Sequence, residues 1–272
     1  MPGVSSAPVE ITYAANEPDM VEVTMEAVMH HVQDAQEWHL PFLHIPLPGF
    51  ITLHGTMLVI CTGLLLLIFG RLYRKGHTVA PRGLTNLLEV FVLFVRDEIS
   101  VANLGEKDGR AMAPMFCSMF FFILGLNLMG LIPIFATATS NINVTFALAL
   151  GTLTLMFYAG ISRNGLGGFI KSFAPPGVPA PVLVLLFPLE FMGMFVKAFA
   201  LMVRLFANMF AGHVVLFSII GLVVMYGAYA SPPAIFMAAA VYCLEVFIAF
   251  LQAYIFTFLS AIFIGQIMHP EH

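Results

Sequence analysis

The stretch ITLHGTMLVICTGLLLLIFGRL, residues 51–72, decides the fold class. No formal charge occurs in it before Arg71, and about 20 apolar residues carry an α-helix across a bilayer core. Arg71, Arg74, Lys75 and Arg82 follow it. No Lys or Arg precedes it, whereas Glu10, Glu17, Asp19, Glu22, Glu26, Asp34 and Glu37 do. Basic loops stay on the cytoplasmic side. The helix therefore predicts an N-terminus outside and residues 71–82 inside. A cationic leader segment is missing from residues 1–45.

Working outward, the next segment, LTNLLEVFVLFVRDEISV (84–101), is apolar but holds Glu89, Arg96, Asp97 and Glu98. Basic residues flank it on both sides (Arg82; Lys107 and Arg110), so it does not cross and reads as interfacial or re-entrant. Spans are expected over about 113–133 and 144–162, with a Gly/Pro loop at 165–181, and then two long helices over about 189–227 and 234–267. The breaker GAYASPP (227–233) separates the last two. The chain is 60% hydrophobic and 10% charged, where soluble domains carry about 25% charge. The short alternating segments of a β-barrel are absent. The expectation is an all-α polytopic membrane protein of five transmembrane helices plus one interfacial helix, the last two helices forming a long tilted hairpin. Residues 1–45 form an acidic segment outside the membrane, with an amphipathic helix near Met20–Val32; residues 46–272 form one integral membrane domain, with the C-terminus inside.

Cys61, Cys117 and Cys243 lie in apolar runs without CxxC spacing and read as small hydrophobes. His30, His31, His39 and His44 raise a metal reading. A solvated segment beside the interface, with Trp38 and Phe42 as interfacial aromatics, is preferred. No cofactor, metal or nucleic acid is expected.

Between residues 182 and 267 the formal charges are Glu190, Lys197, Arg204 and Glu245. Glu190, Lys197 and Arg204 are seven apart and Asn208 is four further on, so they form one polar stripe on an otherwise apolar helix. His213 falls roughly opposite that stripe on a straight helix. Glu245 and Gln252, again seven apart, share a face of the last helix. Pairing Arg204 with Gln252 centres the turn on residue 228, and pairing His213 with Glu245 centres it on 229, both within the breaker. A guanidinium keeps its proton in a protein, so Arg204 must face protein or water. Two partners are open to it: a carboxylate from another chain, or Glu245 after a register shift. Glu190 reads as an inner ion-path residue or a snorkelling acid, and Lys197 as a residue reaching the interface. Asn208 and Gln252 read as interhelical glue or path lining. His213 with Glu245 reads as a proton relay or a structural pair.

At these residues the chain resembles subunit a of the rotary F-type ATP synthase. The motif RLFANMFAGH (204–213) carries the resemblance, with Glu190 and Lys197 before it and LQAYIF (251–256) after it. LNLMGLIP (126–133), SNINVTFALALG (140–151) and GLGGFIKSF (165–173) fit the same family in the same order, so the likeness covers roughly residues 50–268. It implies a non-catalytic proton-channel subunit with no active site of its own. It also implies two aqueous half-channels, and partners in the c-subunit ring, the peripheral-stalk b subunits and the bilayer. Arg204 takes the place of the essential arginine that exchanges protons with ring carboxylates. Glu190, Asn208, His213, Glu245 and Gln252 take the places of path-lining residues. Two departures stand out. Some bacterial members carry the acid at position 213 and the histidine at 245, the reverse of the order here, and Gly130 stands where some carry a carboxylate. The expected setting is a bacterial inner membrane. A sodium-driven version of the subunit is the nearest alternative. An independent proton-coupled transporter fits less well, because no internal repeat divides five spans into halves, and a non-transporting scaffold would not need the buried stripe.

Overall fold

A computed structural model of the chain describes residues 37–40, 43–46, 52–74, 83–132, 135–173, 179–226, 229 and 231–268. The amphipathic helix expected near residues 20–32, with His30 and His31, lies outside them, as does the C-terminal HPEH. Two short strands, β1 (Glu37–Leu40) and β2 (Leu43–Pro46), pair antiparallel with Trp38 opposite Ile45. The sequence predicts no strand there. The remainder is helical: α1 (Leu53–Arg74), α2 (Leu84–Phe94), α3 (Glu106–Gly130), α4 (Ile142–Lys171), α5 (Ala180–Tyr226) and α6 (Ser231–Met268). All but α2 are long and apolar enough to cross a membrane, which makes the five spans expected.

The boundaries shift where capping chemistry overrides hydropathy. α3 starts at Glu106, ahead of its apolar run, because Gly105 breaks the preceding helix at φ 80°, a backbone region that favours glycine. Glu106 and Asp108 then sit in the first turn, where the helix dipole favours acids. α4 runs on through much of the predicted Gly/Pro loop and kinks at Gly165, φ 68°. α5 begins at Ala180 rather than near 189, with Pro181 in its first turn, where a missing N–H costs nothing. α6 opens in the same way with Pro232 and Pro233.

α2 is the sixth, interfacial element. Its Phe91 ring stacks on Phe120 of α3 at 6.1 Å and on Phe250 of α6 at 5.9 Å. The helix continues as a π-helical stretch, Val95–Val101, down to the start of α3, where Ser100 Oγ donates to Gly109 O at 2.6 Å. At this end Arg163 pairs with Asp108 at 3.2 Å, and Asn164 Nδ2 donates to Ile267 O at 2.9 Å. The kink of α4, the start of α3 and the end of α6 are thus level. At the opposite end, the link between α3 and α4 forms a 3₁₀ turn over Ala138–Ser140.

Phe116, Phe120, Ile123, Met156, Phe256 and Ile264 are fully buried and hold α3, α4 and the second half of α6 together. α5 and α6, like α1, are far less covered than α3 and α4. Half of the apolar window of α3 is buried inside the protein, but only 11% of that of α5. At 47 and 38 residues these helices measure about 70 and 57 Å, against about 30 Å of hydrocarbon. They form a long hairpin on the flank of the bundle with one face uncovered.

Candidate functional site

The polar residues lie along the α5–α6 seam. Lys197 Nζ donates to Gln266 Oε1 at 2.9 Å and sits 5.1 Å from the Phe263 ring centroid. Asn208 Nδ2 donates to Gln252 Oε1 at 2.7 Å. Gly212 lies against the Glu245 side chain: a Cβ there would stand 3.1 Å from its Cδ and 3.3 Å from its Cγ. The three pairs are centred between residues 228 and 232. The hairpin register is therefore continuous along the whole seam, because both chains are unbroken α-helix. Lys197 thus has a partner in its own chain, two residues from the end of α6.

Arg204 is one turn before Asn208 and half-buried. The sequence sets it opposite Gln252, but that amide belongs to Asn208, four residues later. By the observed register Arg204 faces the Phe256–Leu259 level of α6, which carries no acid. Glu245 is two turns further along, at the level of Gly212, about 12 Å away. Among the described residues the ion pairs are Arg96–Asp97, Arg110–Glu106 and Arg163–Asp108, and Arg204 takes part in no hydrogen bond with them. The Glu245 alternative for its partner is not realised. Beside Arg204, α5 leaves Val196, Ala200, Val203, Ala207 and Ala211 exposed, a stripe of mostly small side chains on the uncovered face.

His213 turns away from this seam, which resolves its position opposite the stripe. Its Nδ1 is 2.9 Å from Met209 O and its Nε2 is 2.6 Å from Thr137 Oγ1. Thr137 also donates to Gly130 O at 3.1 Å. His213 and Glu245 share a level but make no hydrogen bond with each other. Both Glu245 carboxylate oxygens are buried without a hydrogen-bond partner, as are Gln252 Nε2 and Asn127 Oδ1. Asn127 reaches α6 through Nδ2, 3.5 Å from Ala249 O. Glu245, Ala249 and Gln252 follow at i, i+4 and i+7, so the unmatched polar atoms line one face of α6. Buried polar groups are normally paired by protein or water. Glu190 stands apart, exposed near the start of α5.

Sequence reasoning missed Asn127, Thr137, Gly212 and Gln266. Asn127 lies within a motif that carries the resemblance, so a signal existed. Gly212 lies within RLFANMFAGH as well, but its part, like that of Thr137, depends on what packs against it.

The sequence model for the ATP synthase A chain matches residues 55–265. The chain belongs to the ATP synthase subunit a family. It is 48% identical over 221 residues to ATP synthase subunit a of Anaeromyxobacter dehalogenans (strain 2CP-C), covering 79% of this chain and 57% of that one. The corresponding protein of Chloroherpeton thalassium is 43% identical over 260 residues, 90% of this chain and 77% of its own length. That of Myxococcus xanthus is 39% identical over 279 residues, 93% and 90%. The matched part thus spans little more than half of the Anaeromyxobacter subunit a. With five apolar spans and this membership, the chain is an integral membrane protein.

Proposed function

We propose that the chain is the stator subunit a of a proton-translocating ATP synthase in a bacterial inner membrane, with its N-terminus outside and its C-terminus inside. Its partners are then the c-subunit ring, the peripheral-stalk b subunits and the other synthase subunits. The observation that carries this reading is a half-buried arginine that meets no anion among the described residues, beside an uncovered helix face of small residues. Small residues let a partner helix approach closely. A ring carboxylate arriving there meets a fixed positive charge, which favours its ionised form. Arg204 holds that anion in place of lost water and, unable to release a proton itself, blocks a direct leak.

The polar row of Glu245, Asn127 and Gln252, with His213 beside it, forms the outer half-path. Glu190, 14 residues from Arg204 or about 21 Å along α5, belongs to the inner one. Asn208 orients Gln252 between them. A proton passes from one half-path to the other by riding the ring, and each charge crossing 100 mV yields about 2.3 kcal/mol. The inclined hairpin follows the curve of the ring.

The test is Arg204→Ala in the assembled complex. ATP-driven acidification of inverted vesicles, read by a pH-sensitive dye without added sodium, falls to background. Wild-type pumping by that variant refutes the assignment, and pumping that requires sodium refutes the proton reading.

A further inference from the structure

The contacts of His213 obey a proton count that nothing in the motif predicts. Met209 O can only accept, so Nδ1 carries a hydrogen. Nε2 faces Thr137 Oγ1. The Thr137 hydroxyl has one hydrogen and two acceptors in reach, Gly130 O and Nε2. If that hydrogen points at Gly130 O, Nε2 must donate and the ring is an imidazolium. If it points at Nε2, the ring is neutral. We propose that Thr137 is a positioning residue of the outer path. Its hydroxyl hydrogen switches between Gly130 O and His213 Nε2 as the imidazole gains and loses its proton, and the ring stays still in both states.

The bookkeeping closes. A proton arriving at Nε2 displaces the hydroxyl hydrogen, which rotates onto Gly130 O; when the proton leaves, the rotation reverses. Nδ1 keeps its hydrogen throughout, so the ring exchanges protons at one nitrogen only. The local build supports this. A Cβ on Gly130 would meet Thr137 Cγ2 at 2.7 Å, Oγ1 at 3.1 Å and Cβ at 3.2 Å. A bare glycine is what lets the hydroxyl touch both the carbonyl and the ring. The departure at Gly130 and the histidine at 213 are thus linked: Thr137 fills the space that a side chain at 130 would need.

Titratable groups from the elements around this end are Glu245 and Tyr242 of α6 and His54 of α1. Tyr242 donates to Leu131 O at 2.5 Å, and His54 Nδ1 is 3.5 Å from Asn141 Nδ2. On α5 itself the nearest charge is Arg204, with Lys197 and Glu190 farther toward its start, and the 3₁₀ link and the adjoining end of α3 carry no titratable group. Glu245 is the acid at the level of the ring.

The inference rests on the proposed proton path, and the test separates the two. Thr137→Val keeps the shape and removes the hydroxyl, while Thr137→Ser keeps the hydroxyl. In the intact complex Thr137→Val moves the pH profile of ATP-driven pumping toward lower pH by at least about half a unit, because the imidazolium loses the stronger, charge-assisted bond. Thr137→Ser leaves the profile in place. The 15N signals of His213, assigned with His213→Gln in membranes of the labelled complex, report the same titration without any turnover. An unmoved His213 titration in Thr137→Val, or a Thr137→Ser variant as shifted as the valine one, overturns the switch. Loss of pumping in Arg204→Ala beside an unmoved Thr137→Val leaves the stator reading standing and removes only this one.

Discussion

Gly212→Ala separates helix stability from proton transfer. Alanine is favoured over glycine inside a helix by about 1 kcal/mol, and α5 is regular through Gly212. On propensity alone the variant is more stable. The added Cβ, however, would overlap Glu245 Oε1 and come within 3.1 Å of Cδ. The carboxylate must move by roughly an ångström, out of the slot that the bare Gly212 leaves it. Misplacement of a reacting group by about 1 Å costs up to about a hundredfold in rate. Pumping therefore falls by about ten- to a hundredfold, while the complex assembles in normal amounts and melts at or above the wild-type temperature. Pumping is read as dye quenching in inverted vesicles and melting as loss of the assembled complex in detergent. Undiminished pumping in a correctly assembled Gly212→Ala complex would refute the claim that Glu245 acts from that slot. A destabilised complex would refute the claim that the seam can absorb the methyl.

Two further outcomes test other parts of the fold. Asn208→Leu and Gln252→Leu, alone and together, give a coupling energy of about 0.6–2 kcal/mol in complex stability, and zero coupling would deny the 2.7 Å bond between them. Arg96 holds Asp97 below the usual carboxylate range, chiefly by the hydrogen bond it donates. A depressed acid stabilises the folded state above that range and loses its contribution as pH falls through it, so wild-type melting converges on that of Asp97→Asn on acidification; both side chains are about half exposed and the effect is small.

The chain order of apolar runs and basic loops was enough to foresee five spans, an interfacial helix and the final hairpin. The reason is that a bilayer punishes unpaired backbone everywhere and charge at depth. Helix ends were read less well. Gly105 and Pro181 set the real starts of α3 and α5, Gly165 kinks α4 rather than ending it, and hydropathy does not register backbone angles. The hairpin register came within a turn of the observed one, since a breaker of known position leaves little room to slide.

The sequence by itself determined that Arg204 would be a permanent charge in an apolar helix, and that Glu245 and Gln252 would share a face. Periodicity and the chemistry of each residue type are local properties. Only the tertiary structure decided that Gln252 belongs to Asn208 and Lys197 to Gln266, that Arg204 meets no anion among the described residues, and that His213 turns to Thr137. Those outcomes depend on distances between segments far apart in the chain, and on whether a glycine leaves room for the neighbour that packs against it.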